Sequence, residues 1–163
     1  MTIHIKSVYG QVMKQVSLSQ VFEGSVETVF DAWTDEHQLQ QWWGPHGFTN
    51  PVCKMELRPG GSLLIHMEAP DGMVFPMHGM FHQIEKPVKL VFTSSAFEDE
   101  DGEDQLENLN TVLFEPLNGK TRVSLDALVV KASLEADEAL EGMEEGWKQS
   151  FEKLKEHLKR QTK

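Results

Sequence analysis

Near its C-terminus the chain carries six large apolar residues, Leu140, Met143, Trp147, Phe151, Leu154 and Leu158, at intervals of 3, 4, 4, 3 and 4. That spacing draws one stripe along a single long helix, over Glu135–Arg160. Glu135, Asp137, Glu138, Glu141, Glu144 and Glu145 crowd its first half, and Lys153, Lys155, Lys159 and Arg160 its end, which complements the helix dipole. A helix apolar on one face must bury that face, and strands are what the rest of the chain offers.

Lys14–Phe22 alternates, with Val16, Leu18 and Phe22 on one face of a half-buried strand. Ser25 then stands as an N-cap before Val26, Val29, Phe30 and Trp33, an apolar stripe on a short helix. Asp35–Trp43 reads as a second short helix, stopped by Gly44-Pro45. Strands follow at Val52–Arg58, Ser62–Glu68, Met73–Glu85, Lys89–Ser95, Glu107–Pro116 and Thr121–Val130. Ala69-Pro70-Asp71-Gly72 signals a type I turn, and Asn118-Gly119 a tight hairpin. Phe97–Gln105 is acidic and polar, and reads as an exposed loop. Ile3, Ile5 and Val8 fit either a short extra strand or an arm. The expected fold is α+β: a curved antiparallel sheet wrapped around the C-terminal helix, with two short helices after the first strand. Such a sheet tends to leave a cavity beneath the helix. Residues 1–15 read as an extension and residues 16–160 as one domain; a chain of 163 residues can bury about 70% of its unfolded surface without staples.

Lysine and arginine number 15 against 26 aspartates and glutamates, a formal charge of −11. That balance argues against nucleic acid and anionic membranes as partners. No apolar run is long enough to cross a membrane, so no membrane insertion is expected. Cys53 is alone, and no basic segment followed by an apolar one opens the chain; both point to the cytoplasm.

Several motifs resemble one known family when taken in order. They are Val29-Phe30-Asp31-Ala32-Trp33-Thr34, Trp42-Trp43-Gly44-Pro45, Met55-Glu56-Leu57-Arg58-Pro59-Gly60-Gly61, Asp71-Gly72, Gly79, Thr121-Arg122-Val123 and Gly146-Trp147. The chain resembles the START-like (SRPBCC) helix-grip superfamily, and within it the homologues of the activator of the 90-kDa heat-shock protein ATPase. The likeness runs from about Val16 to Leu158. Glu56 stands where the family usually has Asp, which keeps the charge. The resemblance implies the helix-grip fold. It also implies a choice of roles, because relatives bind small hydrophobic molecules, cyclise polyketides or serve as co-chaperones.

Among candidate sites, Phe75, Met77, Gly79 and Phe81 share one strand face, and Leu63, Ile65 and Met67 face them if the turn sets an even register. His66, His78 and His82 then share the outer face. His78 and His82, four apart on a strand, lie roughly 13 Å from each other, too far to share a zinc. Counted from Asp99, the acidic run places Asp104 where a calcium loop needs Gly, so it reads as solvated, or as a docking surface for a basic protein. No metal and no cofactor is expected. Catalysis finds little support: there is no nucleophile elbow and no phosphate loop, and acid–base work would need Glu56, His66 or Asp126 to converge. Glu56 and Arg58 read as an ion pair supporting the Pro-Gly-Gly turn. Gly142 and Gly146 each cost about 1 kcal/mol inside a helix; Gly146, beside the apolar stripe, either lets the helix approach the sheet closely or leaves room for a ligand, and close packing is the favoured reading.

The first functional expectation is a binding protein for a small hydrophobic molecule. Its pocket candidates are Ile65, Met67, Phe75, Met77 and Phe81 on the sheet, Trp33, Trp42 and Trp43 near the short helices, and Met143 and Trp147 on the long helix. The alternatives are a co-chaperone-like interaction module of the stress response with a chaperone or other protein as partner, which only the resemblance implies, and a cyclase or hydrolase acting in the cavity. An edge strand from residues 1–9 would offer its ladder to a second copy, so monomer and dimer both stay open.

Overall fold

A computed structural model describes residues 2–8, 11–98, 101–132 and 137–161. The strands are β1 (Thr2–Val8), β2 (Gln11–Glu23), β3 (Thr49–Met55), β4 (Ser62–Glu68), β5 (Val74–Glu85), β6 (Lys89–Glu98), β7 (Asp104–Leu117) and β8 (Lys120–Ala132). Two short helices, α1 (Val26–Thr34) and α2 (Glu36–Trp42), follow β2, and α3 (Asp137–Gln161) ends the chain. The strands form one antiparallel sheet in the order β1-β2-β8-β7-β6-β5-β4-β3. This is the expected helix-grip architecture.

From β3 to β8 each strand pairs with the next one in sequence, and β2 then pairs with β8. Hence β2 and β3 lie far apart in the sheet, and the α1–α2 segment spans between them. Its turns are set locally. Ser25 caps α1 by accepting from the Thr28 amide at 3.2 Å, and Asp35 caps α2 by accepting from the His37 amide at 2.9 Å. Asn118 and Gly119 both hold positive φ, the geometry of a type I′ hairpin, which joins β7 to β8.

The register of β4 on β5 is even, with Ile65 opposite Met77 and Leu63 opposite Gly79. Leu63, Ile65, Met77 and Phe81 are accordingly buried together. At Gly79, β6 comes so near that a side chain would run into the Thr93 carbonyl. The Pro59-Gly60-Gly61 turn is tied to β5: the Gly60 amide donates to the Phe81 carbonyl, and the Phe81 amide donates to the Gly61 carbonyl. Glu56 supports the same turn by accepting from the Ser62 amide and hydroxyl, with Arg58 at 3.5 Å. These bonds, the Ser62 hydroxyl first, hold its carboxyl below the usual carboxylate range.

Three details refine the sequence reading. Residues 2–8 form strand β1, paired with β2, so the extra strand is the observed alternative for this segment. The acidic loop is shorter than Phe97–Gln105, because Glu98 and Asp104 still pair across β6 and β7. Asp99 and Glu100 lie outside the described residues, as does the expected helix start at Glu135. Third, β3 spans Thr49–Met55 rather than Val52–Arg58, since Arg58 enters the Pro-Gly-Gly turn, its amide donating to the Glu56 carbonyl.

The core is an aromatic cluster on α3. Phe151 meets Phe22 at 5.4 Å and Trp33 at 6.2 Å, both edge-on, and Trp33 stacks on Trp147 at 6.2 Å. Close by, His157 is buried between Gln38, at 3.1 Å, and Gln161. Burial, helped by Arg160 and opposed by Asp35, holds its pKa below the ordinary histidine value. The unfolded chain therefore takes up this proton more readily than the folded one. Stability should be level in this respect above about pH 6.5 and should fall as the pH drops below it. His157→Gln should flatten that acid limb, as read from urea midpoints measured between about pH 5 and pH 7.

Candidate functional site

The main contacts of α3 are with α2, β2 and α1. Its stripe is thus engaged by one end of the sheet and by the short helices, and the inner face of β5–β7 is left in front of the helix's first half. A cleft of about 550 Å³ occupies that space. Met67, Phe75, Met77, Ala96 and Leu106 form its sheet wall, and Met143, Trp147 and Ser150 its helix wall.

Gly142 and Gly146 also line it. A Cβ added at Gly142 would meet nothing within 4 Å, and at Gly146 only the Pro45 Cγ, at 3.9 Å. The favoured close-packing reading of Gly146 is therefore corrected: a Cβ there would meet only the edge of Pro45, and the helix does not need this glycine in order to approach the sheet.

The rim is the α2–β3 loop, which contributes Trp43, Gly44, Pro45 and Phe48. It is strapped to α3. The Lys153 ammonium donates to the carbonyls of Trp43, Gly44, Pro45 and Phe48 at 3.2–3.3 Å. Gln149 accepts from the His46 amide at 3.0 Å, and Glu152 bonds the His46 ring at 2.6 Å. Lys153 is half-buried, and burial draws its pKa below the ordinary lysine value.

Of the ten pocket candidates, Trp43, Met67, Phe75, Met77, Met143 and Trp147 border the cleft. Trp33, Trp42, Ile65 and Phe81 do not: each is at most 1% exposed and belongs to the packed core. Trp33 is among the residues expected at the pocket. Because α1 packs on β7, β8 and α3, Trp33 instead lies among Trp42, Phe114, Trp147 and Phe151, and the rim position goes to Trp43.

Three cleft features escaped the sequence reading. His78, assigned by alternation to the outer face with His66 and His82, borders the cleft, and its Nε2 lies 2.8 Å from Asp104 Oδ1. Second, Ser94 and Asn108 supply polar groups within the apolar wall. A signal for them was present, since Leu106, Asn108, Asn110 and Val112 alternate on one face of β7 and two of the four are polar. Third is the Lys153 strap, whose contacts span more than a hundred positions of sequence.

Groups of three or more potential metal ligands do not occur among the described residues. Glu56, His66 and Asp126 do not converge: Asp126 on β8 accepts from Gln15 and Ser17, while Glu56 and His66 lie at or near the opposite edge of the sheet. Cys53 is buried, which pushes its thiol up to about 12 and keeps it protonated and unreactive at neutral pH.

Residues 23–159 match the model of the family described as activator of Hsp90 ATPase homolog 1-like protein. The chain belongs to this family. Its fold is also that of solved relatives. A protein from Arthrobacter aurescens, solved by NMR, is 27% identical with a TM-score of 0.77, over 96% of this chain and 91% of its own. The crystal structure of an AHSA1 protein from Silicibacter pomeroyi is 28% identical with a TM-score of 0.74, over 90% and 99%. A Nitrosomonas europaea protein shares the fold at 23% identity, with a TM-score of 0.76 over 91% and 96%. No curated protein matches the sequence. Among the described residues, no helix is long and apolar enough to cross a membrane.

Within this family member, the strap makes a definite prediction. Lys153→Met keeps the apolar stem and removes the ammonium, leaving four carbonyls without their shared donor. The variant should lose about 1–3 kcal/mol of stability in urea unfolding. Its tryptophan emission should shift to the red as the loop bearing Trp43 loosens.

Proposed function

We propose that this chain is a binding protein for a small hydrophobic molecule, which it holds in the cleft between α3 and the inner face of β5–β7. The observation that carries the reading is the cleft itself. Its volume of about 550 Å³ suits a compact organic molecule, and thioethers, aromatic rings and aliphatic groups make up most of its wall. Met67, Met77 and Met143 add side chains that can reshape around different ligands.

The helix glycines support the same reading. Each costs the helix about 1 kcal/mol relative to alanine, and each opens onto the cleft without making a close contact. A glycine that is unfavourable for its helix and serves no packing need is accounted for by the room it leaves. The strapped rim fits as well, because a loop tied to α3 at several points keeps the cleft formed in the absence of ligand, which lowers the ordering cost of binding. The family's description raises a chaperone partner, but no part of this geometry requires one; the cleft carries the reading.

The test is a titration with Nile red, a neutral apolar dye that brightens on leaving water. The wild-type chain should bind it saturably, at one dye per chain. Gly146→Leu should be at least as stable thermally, since it removes a helix glycine, and should bind the dye about tenfold or more weakly because the new side chain fills the cleft. Absence of dye binding by the wild type, or equal binding by the variant, would contradict the proposal.

A further inference from the structure

The wall of the cleft is mostly apolar, and beside the His78–Asp104 pair the sheet offers polar groups to it at Ser94 and Asn108. Ser94 on β6 and Asn108 on β7 are direct partners in the ladder, and both face the cleft. They are nearly enclosed, at 7% and 9% exposure. The Nδ2 of Asn110 donates to the Ser94 hydroxyl oxygen at 2.9 Å. That bond occupies an acceptor site on Ser94 and leaves its hydrogen available to a molecule in the cleft. Asn108 Oδ1 is buried without a hydrogen-bond partner. A buried acceptor without a partner is unfavourable, and a partner arriving with a ligand would recover that loss. The terminal torsion of an asparagine is broad, so the carboxamide can present its oxygen to the cleft at little expense.

The charge around the cleft narrows the ligand further. No lysine or arginine is among its described lining residues, and its charged neighbour is Asp104, hydrogen-bonded to His78. A carboxylate or phosphate brought against the Ser94–Asn108 pair would be desolvated with no lysine or arginine to meet it, and His78 is already engaged by Asp104. A hydroxyl suits the pair: it can accept from Ser94 and donate to Asn108 at the same time.

We infer that the cleft selects a neutral, mostly apolar molecule bearing one hydroxyl group, which seats on Ser94 and Asn108. This deepens the binding-protein reading and rests on it.

Three probes of one shape test the inference by displacement of Nile red: 2-naphthol, naphthalene and 2-naphthoate. On the wild-type chain, 2-naphthol should compete about tenfold more strongly than naphthalene, and 2-naphthoate more weakly than 2-naphthol. Asn108→Leu should bring 2-naphthol and naphthalene close to parity. Ser94→Ala, a smaller change that guards against a folding defect in the first variant, should narrow the same ratio. If wild type binds Nile red but treats 2-naphthol and naphthalene alike, or prefers the naphthoate, the hydroxyl inference falls and the binding reading stands. A chain that does not bind Nile red loses both.

Discussion

The seating of α3 on the aromatic cluster of Phe22, Trp33 and Phe151 governs the rest of this molecule. An apolar stripe on one long helix has to be buried, and here one end of the sheet and the two short helices bury it. Once Phe151, Leu154 and Leu158 are engaged there, the first half of the helix stands in front of β5–β7 without filling the space. The cleft is thus a consequence of where the core forms. The residues that would have closed it, at positions 142 and 146, are glycines.

The rim follows from the same placement. The end of α2 delivers Trp43-Gly44-Pro45 close to α3, and a lysine on the helix collects the loop's carbonyls. Backbone carbonyls turned inward at a loop need donors, and one ammonium serves four of them. Core, strap and cleft therefore form one arrangement in which the helix plays three parts: its apolar face holds the fold, Lys153 and Gln149 hold the rim, and Met143, Trp147 and Ser150 complete the binding wall.

Much of this was legible in the sequence, because its signals are local or periodic. The stripe from Met143 to Leu158 gave α3, alternation with an even turn gave the facing of Ile65 and Met77, and Asn118-Gly119 gave the last hairpin. The order of short motifs pointed to the family. What the sequence left unread depends on contacts between distant segments. Periodicity could not say that Trp33 would be enclosed while its neighbour in the motif series, Trp43, would border the cleft, since both are apolar aromatics near short helices. Nor could it say that Lys153, one of several basic residues near the chain's end, would find four carbonyls about a hundred positions away. Alternation along β5 also did not reveal that His78 meets Asp104, a pairing between strands that are not ladder neighbours. Gly142 and Gly146 could be judged only once the space beside them was known. The polar pair inside the cleft was nearer to hand, because Asn108 and Asn110 break an apolar alternation on β7.

The central claim is that the space between α3 and β5–β7 is where a ligand sits, and methionine methyl groups report on it directly. Met67, Met77 and Met143 line the cleft, whereas Met73 and Met80 are exposed at 57% and 41%. The decisive measurement is a methyl spectrum of protein carrying ¹³C-labelled methionine, titrated with 2-naphthol. The account predicts that the resonances of Met67, Met77 and Met143 move together along one saturable curve while those of Met73 and Met80 stay in place. Movement confined to Met73 and Met80, or no movement at any methionine, would contradict it.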